Sequence, residues 1–185
     1  VPDDTCEYCR TGRYNICPGV DFMATQPNYK GALTQYMTHP EEWTYHIPEG
    51  MTTMEGALVE PAAVGMHAAV LGGAQPGKSI VILGGGTIGL MVLQACISLG
   101  ATDITVVDVI EKRLELAKKL GAARVINGKE EDTVAVLRSE EMYGDHGVDL
   151  VFEAAGAVFT AQQAVQIVSR GGKIMMVGTQ SKPVP

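Results

Sequence analysis

The sequence predicts an α/β fold, a doubly wound parallel sheet, preceded by a shorter β-rich segment. Five short, mainly apolar runs alternate with stretches of helical periodicity between residues 80 and 177, and the run at 80–83 is wholly apolar. Strands that are apolar along most of their length are buried on both faces, as in a parallel sheet covered by helices. Before residue 50 the pattern differs, because apolar and polar residues alternate there, which favours antiparallel strands.

Each predicted element follows from one of these patterns. The apolar runs predict strands at 80–83, 104–107, 124–126, 148–152 and 173–177, and the periodic stretches predict helices at 52–71, 87–99, 110–120, 131–142 and 159–169. Right-handed crossovers between such strands give the sheet order 3-2-1-4-5. The alternating patterns at 31–39 and 43–47 predict antiparallel strands ahead of the sheet.

The stretch SIVILGGGTIG, residues 79–89, carries the clearest chemical signal. Gly84, Gly86 and Gly89 fit G-x-G-x-x-G between an apolar strand and a helix, and Asp108 ends the next strand about 20 residues later. The first glycine permits a sharp turn, the second lets a pyrophosphate approach the backbone, and the third lets the helix pack closely. The helix N-terminus then offers N–H groups to the phosphates. The stretch therefore predicts a dinucleotide site.

Asp108 predicts which nucleotide binds. A carboxylate at that position can accept hydrogen bonds from both ribose hydroxyls and would repel a 2′-phosphate, so NAD is expected rather than NADP. Arg113 has two interpretations, a cation lying over the adenine or its ribose, and an ordinary cation in the first turn of a helix. The loops at 153–156 and 177–179 are small and contain glycine, so a flat ring could approach their backbone.

Three cysteines near the start of the chain predict a metal site. Cys6, Cys9 and Cys17 have the spacing C-x2-C-x7-C, and Asp3 could supply a fourth ligand for a tetrahedral zinc ion. A lobe that holds no metal is the alternative. A nucleic-acid-binding zinc ribbon is disfavoured, because the residues around the cysteines are acidic.

Composition narrows the class of protein. The net charge of −7 argues against nucleic acid and anionic membranes as partners. No apolar run has the length of a transmembrane helix, and Val1 does not open a signal peptide. Clustered cysteines of this kind suit a reducing, cytoplasmic compartment.

Glu60, directly before Pro61 in an apolar helical stretch, is either a buried carboxylate with a partner or an exposed group at a kink.

Taken together, these motifs resemble those of the zinc-dependent medium-chain alcohol dehydrogenases, and specifically the sorbitol (polyol) dehydrogenase branch. The resemblance is carried by CEYCRTGRYNIC, FMATQPNYKGALTQY, ALVEPAAVGMHAA, GGGTIGL, VVDVIEKRL, VDLVFEAAG and GGKIMMVGT. It implies that residues 1–50 are part of a GroES-like catalytic domain with a structural-zinc lobe. It also implies that residues 51–185 are a Rossmann NAD-binding domain.

The resemblance also implies roles for individual residues. It implies a structural-zinc site at Asp3, Cys6, Cys9 and Cys17, in which Asp3 stands where the family has a cysteine. Glu60 matches the glutamate that holds the catalytic zinc directly or through its water, and Phe22 and Thr25 match positions near the substrate. The implied NAD-binding residues are Gly84, Gly86, Thr87, Ile88, Gly89, Asp108, Arg113, Val177, Gly178 and Thr179.

The departures from the family pattern imply a fragment. The family's catalytic cysteine and its His-Glu pair have no match in this sequence, and the sixth strand of the coenzyme domain has none either. We therefore expect an NAD- and zinc-dependent polyol dehydrogenase whose full-length parent is a homodimer or homotetramer, and a 185-residue chain without turnover of its own. The alternatives are a non-catalytic NAD-binding module and, less compatible with the motifs, a methyltransferase-like domain.

Overall fold

The computed structural model of the protein describes residues 1–25, 31–180 and 183–184, and these form two compact units, Val1–Thr53 and Met54–Pro185. In the first unit a short helix, α1 (Glu7–Arg10), is followed by two 3-10 turns, Tyr14–Ile16 and Glu41–Trp43. The Tyr14 and Trp43 rings meet edge to face at 4.9 Å, which joins the two turns.

The strand predictions for the first unit are wrong over the residues described. Residues 31–50 contain only the 3-10 turn at Glu41–Trp43 and no strand, and residues 26–30 lie outside the described part of the chain. An alternating pattern specifies one buried face, but a strand also needs a neighbour to accept and donate its backbone hydrogen bonds. No described segment of Val1–Thr53 pairs with residues 31–39.

The second unit has the predicted α/β alternation. It opens with α2 (Thr53–Gly72) and continues as β1 (Ser79–Leu83), α3 (Thr87–Ser98), β2 (Asp103–Asp108), α4 (Glu111–Lys119), β3 (Arg124–Asn127), α5 (Thr133–Leu137), β4 (Val148–Glu153), α6 (Val158–Ile167) and β5 (Val168–Met176). The strands form one parallel sheet in the order β3-β2-β1-β4-β5, which confirms the predicted topology.

Two elements differ most from their predicted bounds. Helix α5 begins later than predicted, because the Asp132 carboxylate caps it by accepting from the N–H groups of Val134 and Ala135. The helix also ends earlier than predicted, at Leu137. Strand β5 starts earlier than predicted, at Val168 directly after α6, and a register irregularity separates that first pairing from the rest of the strand.

The core lies on both faces of the sheet. Successive residues of β1 point to opposite faces, so Ile80 and Ile82 belong to one buried cluster and Val81 and Leu83 to the other. Helices α2 and α3 pack on the first face, and α5 and α6 pack on the second. This arrangement leaves the carboxyl ends of the strands open for a ligand.

Within the described ranges, no helix combines the length and apolar character that a membrane span requires.

Candidate nucleotide cleft and cysteine cluster

An open cleft of about 520 Å³ lies at the carboxyl ends of β1, β2 and β4. Strand β1 is flanked by β2 on one side and β4 on the other, so the chain order reverses at this point of the sheet. Ligands of doubly wound sheets bind at such a reversal. The cleft is lined by Leu83, Gly84, Gly86, Val107, Asp108, Val109, Arg113, Gly128, Thr133, Ala154, Ala155, Ala157, Phe159, Thr160 and Gln163.

The three fingerprint glycines have the geometry that the motif predicts. A side chain at Gly84, whose φ is +105°, would come within 2.8 Å of the Ala155 nitrogen. A Cβ at Gly89 would lie 1.8 Å from the Gly84 carbonyl oxygen, so the helix packs directly on the turn. At Gly86 a Cβ would meet no atom within 4 Å, so open space faces the N-terminus of α3 there. That bare N-terminus suits a pyrophosphate.

Two of the predicted contacts in this helix lie beside the cleft rather than in its lining. Thr87 is exposed at the first position of α3, and Ile88 is half-buried and packs against the core on the α2 side of the sheet. Neither side chain lines the cleft, although both belong to the helix N-terminus that would receive the phosphates.

Asp108 is buried at the end of β2 and faces the cleft. Its Oδ2 accepts from the Gly85 N–H at 2.7 Å, and its Oδ1 accepts from the N–H groups of Val109 at 2.8 Å and Ile110 at 2.9 Å. The Arg113 guanidinium, half-exposed, lies 3.4 Å from Oδ2. The predicted acid therefore also fixes the glycine turn and the start of the segment leading to α4.

The loop after β5 packs against the loop after β4. The N–H groups of Val177 and Gly178 both donate to the Glu153 carbonyl at 2.8 Å. A Cβ at Gly178 would lie 2.4 Å from the Gly156 nitrogen, and a Cβ at Gly156 would lie 2.7 Å from the Thr179 carbonyl oxygen. The two predicted loops are thus brought together, with backbone against backbone.

A second, more open cavity of about 500 Å³ lies between α2 and β5. Glu60, His67 and Val177 all line it, so one predicted catalytic residue and one predicted cofactor residue share this cavity. Glu60 is exposed to solvent, which agrees with the second of its two interpretations from the sequence, an exposed group beside Pro61. Pro61 lies within the continuous helix α2, and in the described residues Glu60 joins no group of three close metal-ligating side chains.

The four predicted ligands of the first unit do converge. One ligand atom from each of Asp3, Cys6, Cys9 and Cys17 lies within 4.8 Å of all the others. The Sγ atoms of Cys6 and Cys9 are 3.4 Å apart, and Cys9 Sγ is 3.6 Å from Asp3 Oδ1. Three sulfur atoms and one carboxylate at these separations suit a tetrahedral zinc ion.

Local backbone groups set the charges in this cluster. The N–H groups of Thr5 and Cys6 donate to the Asp3 carboxylate and lower its pKa to about 2. The Cys9 N–H donates to Cys6 Sγ and lowers the pKa of that thiol. Desolvation, and then the neighbouring sulfur atoms of Cys6 and Cys17, raise the pKa of Cys9 to about 12. A bound metal ion requires these thiols to be ionised, so metal binding would release their protons.

Phe22 and Thr25, the two predicted residues near the substrate, form one turn. The Thr25 hydroxyl donates to the Phe22 carbonyl oxygen at 2.8 Å, and both side chains are exposed. The residues that follow, 26–30, lie outside the described part of the chain.

Sequence reasoning missed Glu153 as a functional candidate. Its side chain is fully buried at the end of β4, and the residues that follow it line the nucleotide cleft. One signal was available, because Glu153 ends an apolar strand in the same way that Asp108 ends β2.

The sheet order, the glycine turn and the acid at the end of β2 define the class of Rossmann-type α/β proteins. The family model for zinc-binding dehydrogenases matches residues 87–185, and the model for the alcohol dehydrogenase GroES-like domain matches residues 1–49. The chain belongs to the zinc-type medium-chain alcohol dehydrogenase family, as the resemblance predicted.

Two curated relatives illustrate the family. An uncharacterized zinc-type alcohol dehydrogenase-like protein of Escherichia coli (strain K12) is 64% identical over 179 residues, which are 97% of this chain and 51% of the relative. The sorbitol dehydrogenase of Bacillus subtilis (strain 168) is 42% identical over 177 residues, 96% of this chain and 49% of the relative. The chain therefore spans about half the length of the curated relatives it matches.

Solved structures share the fold. The crystal structure of an Escherichia coli oxidoreductase/dehydrogenase of unknown specificity superposes with a TM-score of 0.94 at 61% identity, covering 99% of this chain and 52% of that one. A candidate zinc-binding dehydrogenase of Sinorhizobium meliloti 1021, solved with NADP bound, gives a TM-score of 0.91 at 27% identity, covering 100% of this chain and 54% of that one.

Proposed function

We propose that this chain is part of an NAD-dependent, zinc-type dehydrogenase that oxidises a CH–OH group of a sugar alcohol. In this proposal residues 1–50 are a segment of a GroES-like catalytic domain, and residues 51–185 bind NAD. The observation that carries the proposal is the cleft at the chain reversal, in which the glycine turn, the α3 N-terminus and Asp108 face one space. The similarity to a sorbitol dehydrogenase supports the polyol substrate.

The residues present fit a dinucleotide. The open space at Gly86 and the uncapped N-terminus of α3 would receive the pyrophosphate, since N–H groups there lack side-chain acceptors. Asp108 would accept from the hydroxyls of one ribose, and its charge disfavours a 2′-phosphate. When bound, the nicotinamide supplies the hydride acceptor for the alcohol carbon. The residues of this chain bind and orient the dinucleotide.

The residues of the first unit fit a structural zinc ion. Asp3, Cys6, Cys9 and Cys17 would hold it, because their ligand atoms already converge and a zinc ion would offset part of the negative charge of three thiolates and a carboxylate. Such a site stabilises the lobe around residues 3–17 and takes no part in the chemistry. For the catalytic zinc, Glu60 belongs to no group of three close metal-ligating side chains among the described residues, and one carboxylate does not hold a metal.

A non-catalytic NAD-binding module is the second candidate. It is favoured by one observation, that Glu60 lies in no group of three close metal ligands among the described residues. Both candidates predict NAD binding by the purified 185 residues, and they differ in whether a longer protein that contains this chain turns over substrate. In the first candidate, turnover belongs to a longer parent protein. We expect the chain itself to bind NADH. We expect it to form no NADH from NAD when sorbitol or xylitol is supplied.

The test is a titration of the purified chain with NADH, NADPH and S-adenosylmethionine, followed by a turnover assay with each polyol. We expect NADH to bind at least about tenfold more tightly than NADPH, because Asp108 repels the extra phosphate. S-adenosylmethionine should not bind. Failure of NADH to bind would remove the proposed function, tighter NADPH binding would overturn the NAD assignment, and measurable NADH formation would overturn the predicted inactivity.

A further inference from the structure

Glu153 is a fully buried carboxylate that neither the nucleotide contacts nor the zinc cluster uses. It ends β4 near the centre of the sheet, and 0% of it is exposed. An ionisable group is costly to bury unless hydrogen bonds replace its lost hydration. The contacts of this side chain therefore indicate what it does.

Four donors from three segments converge on the two oxygens of the Glu153 side chain. Its Oε1 accepts from the N–H groups of Ala155 at 3.0 Å and Gly156 at 2.9 Å, and from the Thr160 hydroxyl at 2.7 Å. Its Oε2 accepts from the Gln180 amide at 2.8 Å. The carboxylate thus ties together the turn after β4, the first turn of α6 and the loop after β5.

The main chain of Glu153 reinforces the same junction. Its carbonyl oxygen accepts from the N–H groups of both Val177 and Gly178, so the loop after β5 is attached at two further points. The glycine contacts between Gly156 and residues 178–179 leave no room for a side chain between these loops. One residue therefore sets the relative position of the loops that follow β4 and β5.

The loop after β4 borders the part of the cleft opposite Asp108, and the loop after β5 packs directly against it. Ala154, Ala155 and Thr160 line the cleft on the β4 side of the glycine turn, whereas Asp108 lines it on the β2 side. A dinucleotide spans the two halves of such a sheet, one nucleotide on each side of the reversal. If the adenosine ribose pairs with Asp108, the nicotinamide half falls on the β4 side.

We infer that Glu153 is a positioning residue for the nicotinamide half of the cofactor, because it holds the loops after β4 and β5 in the conformation that receives the ring and its ribose. This inference rests on the proposed function, since it presupposes that the cleft binds a dinucleotide. Glu153 does not itself line the cleft, so its effect reaches the cofactor through the loops.

The chain offers a matched pair of variants at this position. Glu153→Gln keeps an acceptor for Ala155, Gly156 and Thr160, and its new amide group would face Gln180. The Oε1 atom of Gln180 is buried and has no hydrogen-bond partner among the described residues, so a rotation of that amide restores the fourth bond. Glu153→Ala removes all four bonds.

The experiment compares NADH with ADP, which occupies only the Asp108 side, in titrations of the wild-type chain and both variants. We expect Glu153→Ala to weaken NADH binding at least about tenfold, the scale of one lost hydrogen bond to a charged group, and to change ADP binding less than about twofold. Glu153→Gln should stay within about threefold of wild type for both ligands.

Other outcomes overturn the inference. Unchanged NADH affinity in Glu153→Ala excludes a positioning role, and an equal loss of NADH and ADP binding shows a general structural role instead. If Glu153→Ala does not fold, Gln180→Leu removes only the bond to Oε2, and we expect about a threefold loss for NADH alone; an unchanged NADH affinity there contradicts the inference. A wild-type chain that binds neither ligand contradicts the proposed function itself.

Discussion

At the scale of single residues, Asp108 combines two tasks that sequence reasoning assigns separately. The position of this residue predicts contact with a ribose, but its oxygens already accept from the N–H groups of Gly85, Val109 and Ile110. The carboxylate therefore holds the glycine turn in place and offers its remaining lone pairs to a ligand. Any change at Asp108 should alter both the turn and the choice of nucleotide.

We expect Asp108→Ala to weaken NADH binding about tenfold and to weaken NADPH binding less, because the variant loses a ribose acceptor and also a charge that repels the 2′-phosphate. The free energy of unfolding should fall by about 2 kcal/mol, since three backbone N–H groups lose a charged acceptor. Glu115→Ala is the control, because it removes an exposed charge from α4, the helix that follows Asp108, outside the cleft. Unchanged NADH affinity in Asp108→Ala would remove this residue from the site.

The candidate nucleotide cleft could be located in part from the sequence because its signals are local. Gly84 and Gly86 fall in one short motif, and Asp108 follows at a spacing set by one helix and one strand. The role of Glu153 could not be predicted in the same way, because one of its partners, Gln180, comes from a loop beyond the next helix and strand. Only the packing of the loops after β4 and β5 shows that this carboxylate is satisfied.

At the scale of elements, the sequence predicts the parallel sheet well and the first unit poorly, for one physical reason. Strands β1 and β4 are buried on both faces, so their apolar runs alone specify both their type and their place in the core. The alternating segment at 31–39 depends on a pairing partner that its own residues do not specify, and the described structure gives it none. The start of α5 is set by the side chain of Asp132, which caps the helix, whereas the periodicity of the apolar residues does not specify that start.

The junction of β1 and β4 gives a prediction at this scale. Asp149, in β4, accepts from the N–H and hydroxyl of Ser79 at 3.0 Å each and lies 3.4 Å from the Lys78 ammonium. Burial acts to raise the pKa of Asp149, but these hydrogen bonds and the ammonium outweigh it and hold the pKa below its ordinary value. The ionised carboxylate therefore stabilises the folded chain above about pH 4, and this stabilisation is lost as the pH falls through the lowered pKa.

We expect Asp149→Ala to reduce the free energy of unfolding by about 2 kcal/mol at neutral pH, and the difference from wild type to shrink as the pH falls below about 4. Denaturant unfolding at a series of pH values measures both effects. Asp145→Ala is the matched control, because Asp145 is exposed and its side chain makes no hydrogen bond or ion pair among the described residues. A difference between Asp149→Ala and wild type that does not depend on pH would contradict the assigned role.

At the scale of the whole molecule, each of the two units carries its own candidate site. The convergent ligands lie within residues 3–17 of the first unit, and the nucleotide cleft lies within the second. A ligand stabilises the state that binds it in proportion to the logarithm of its concentration over its dissociation constant. The two proposed ligands, zinc and NAD, should therefore stabilise different parts of the chain.

Hydrogen exchange of the purified chain, read segment by segment, tests this separation. We expect NADH at about 100 times its dissociation constant to slow exchange in residues 84–89 and 153–160, with up to about 2.7 kcal/mol of added protection. Removal of zinc by a chelator should speed exchange in residues 6–17 by at least about tenfold, because metal binding there is folding free energy, and added zinc should restore the protection. Elemental analysis should find about one zinc per chain before chelation. Less than about a tenth of an equivalent, or unchanged exchange at 6–17 after chelation, would show that the cluster around Asp3 holds no metal.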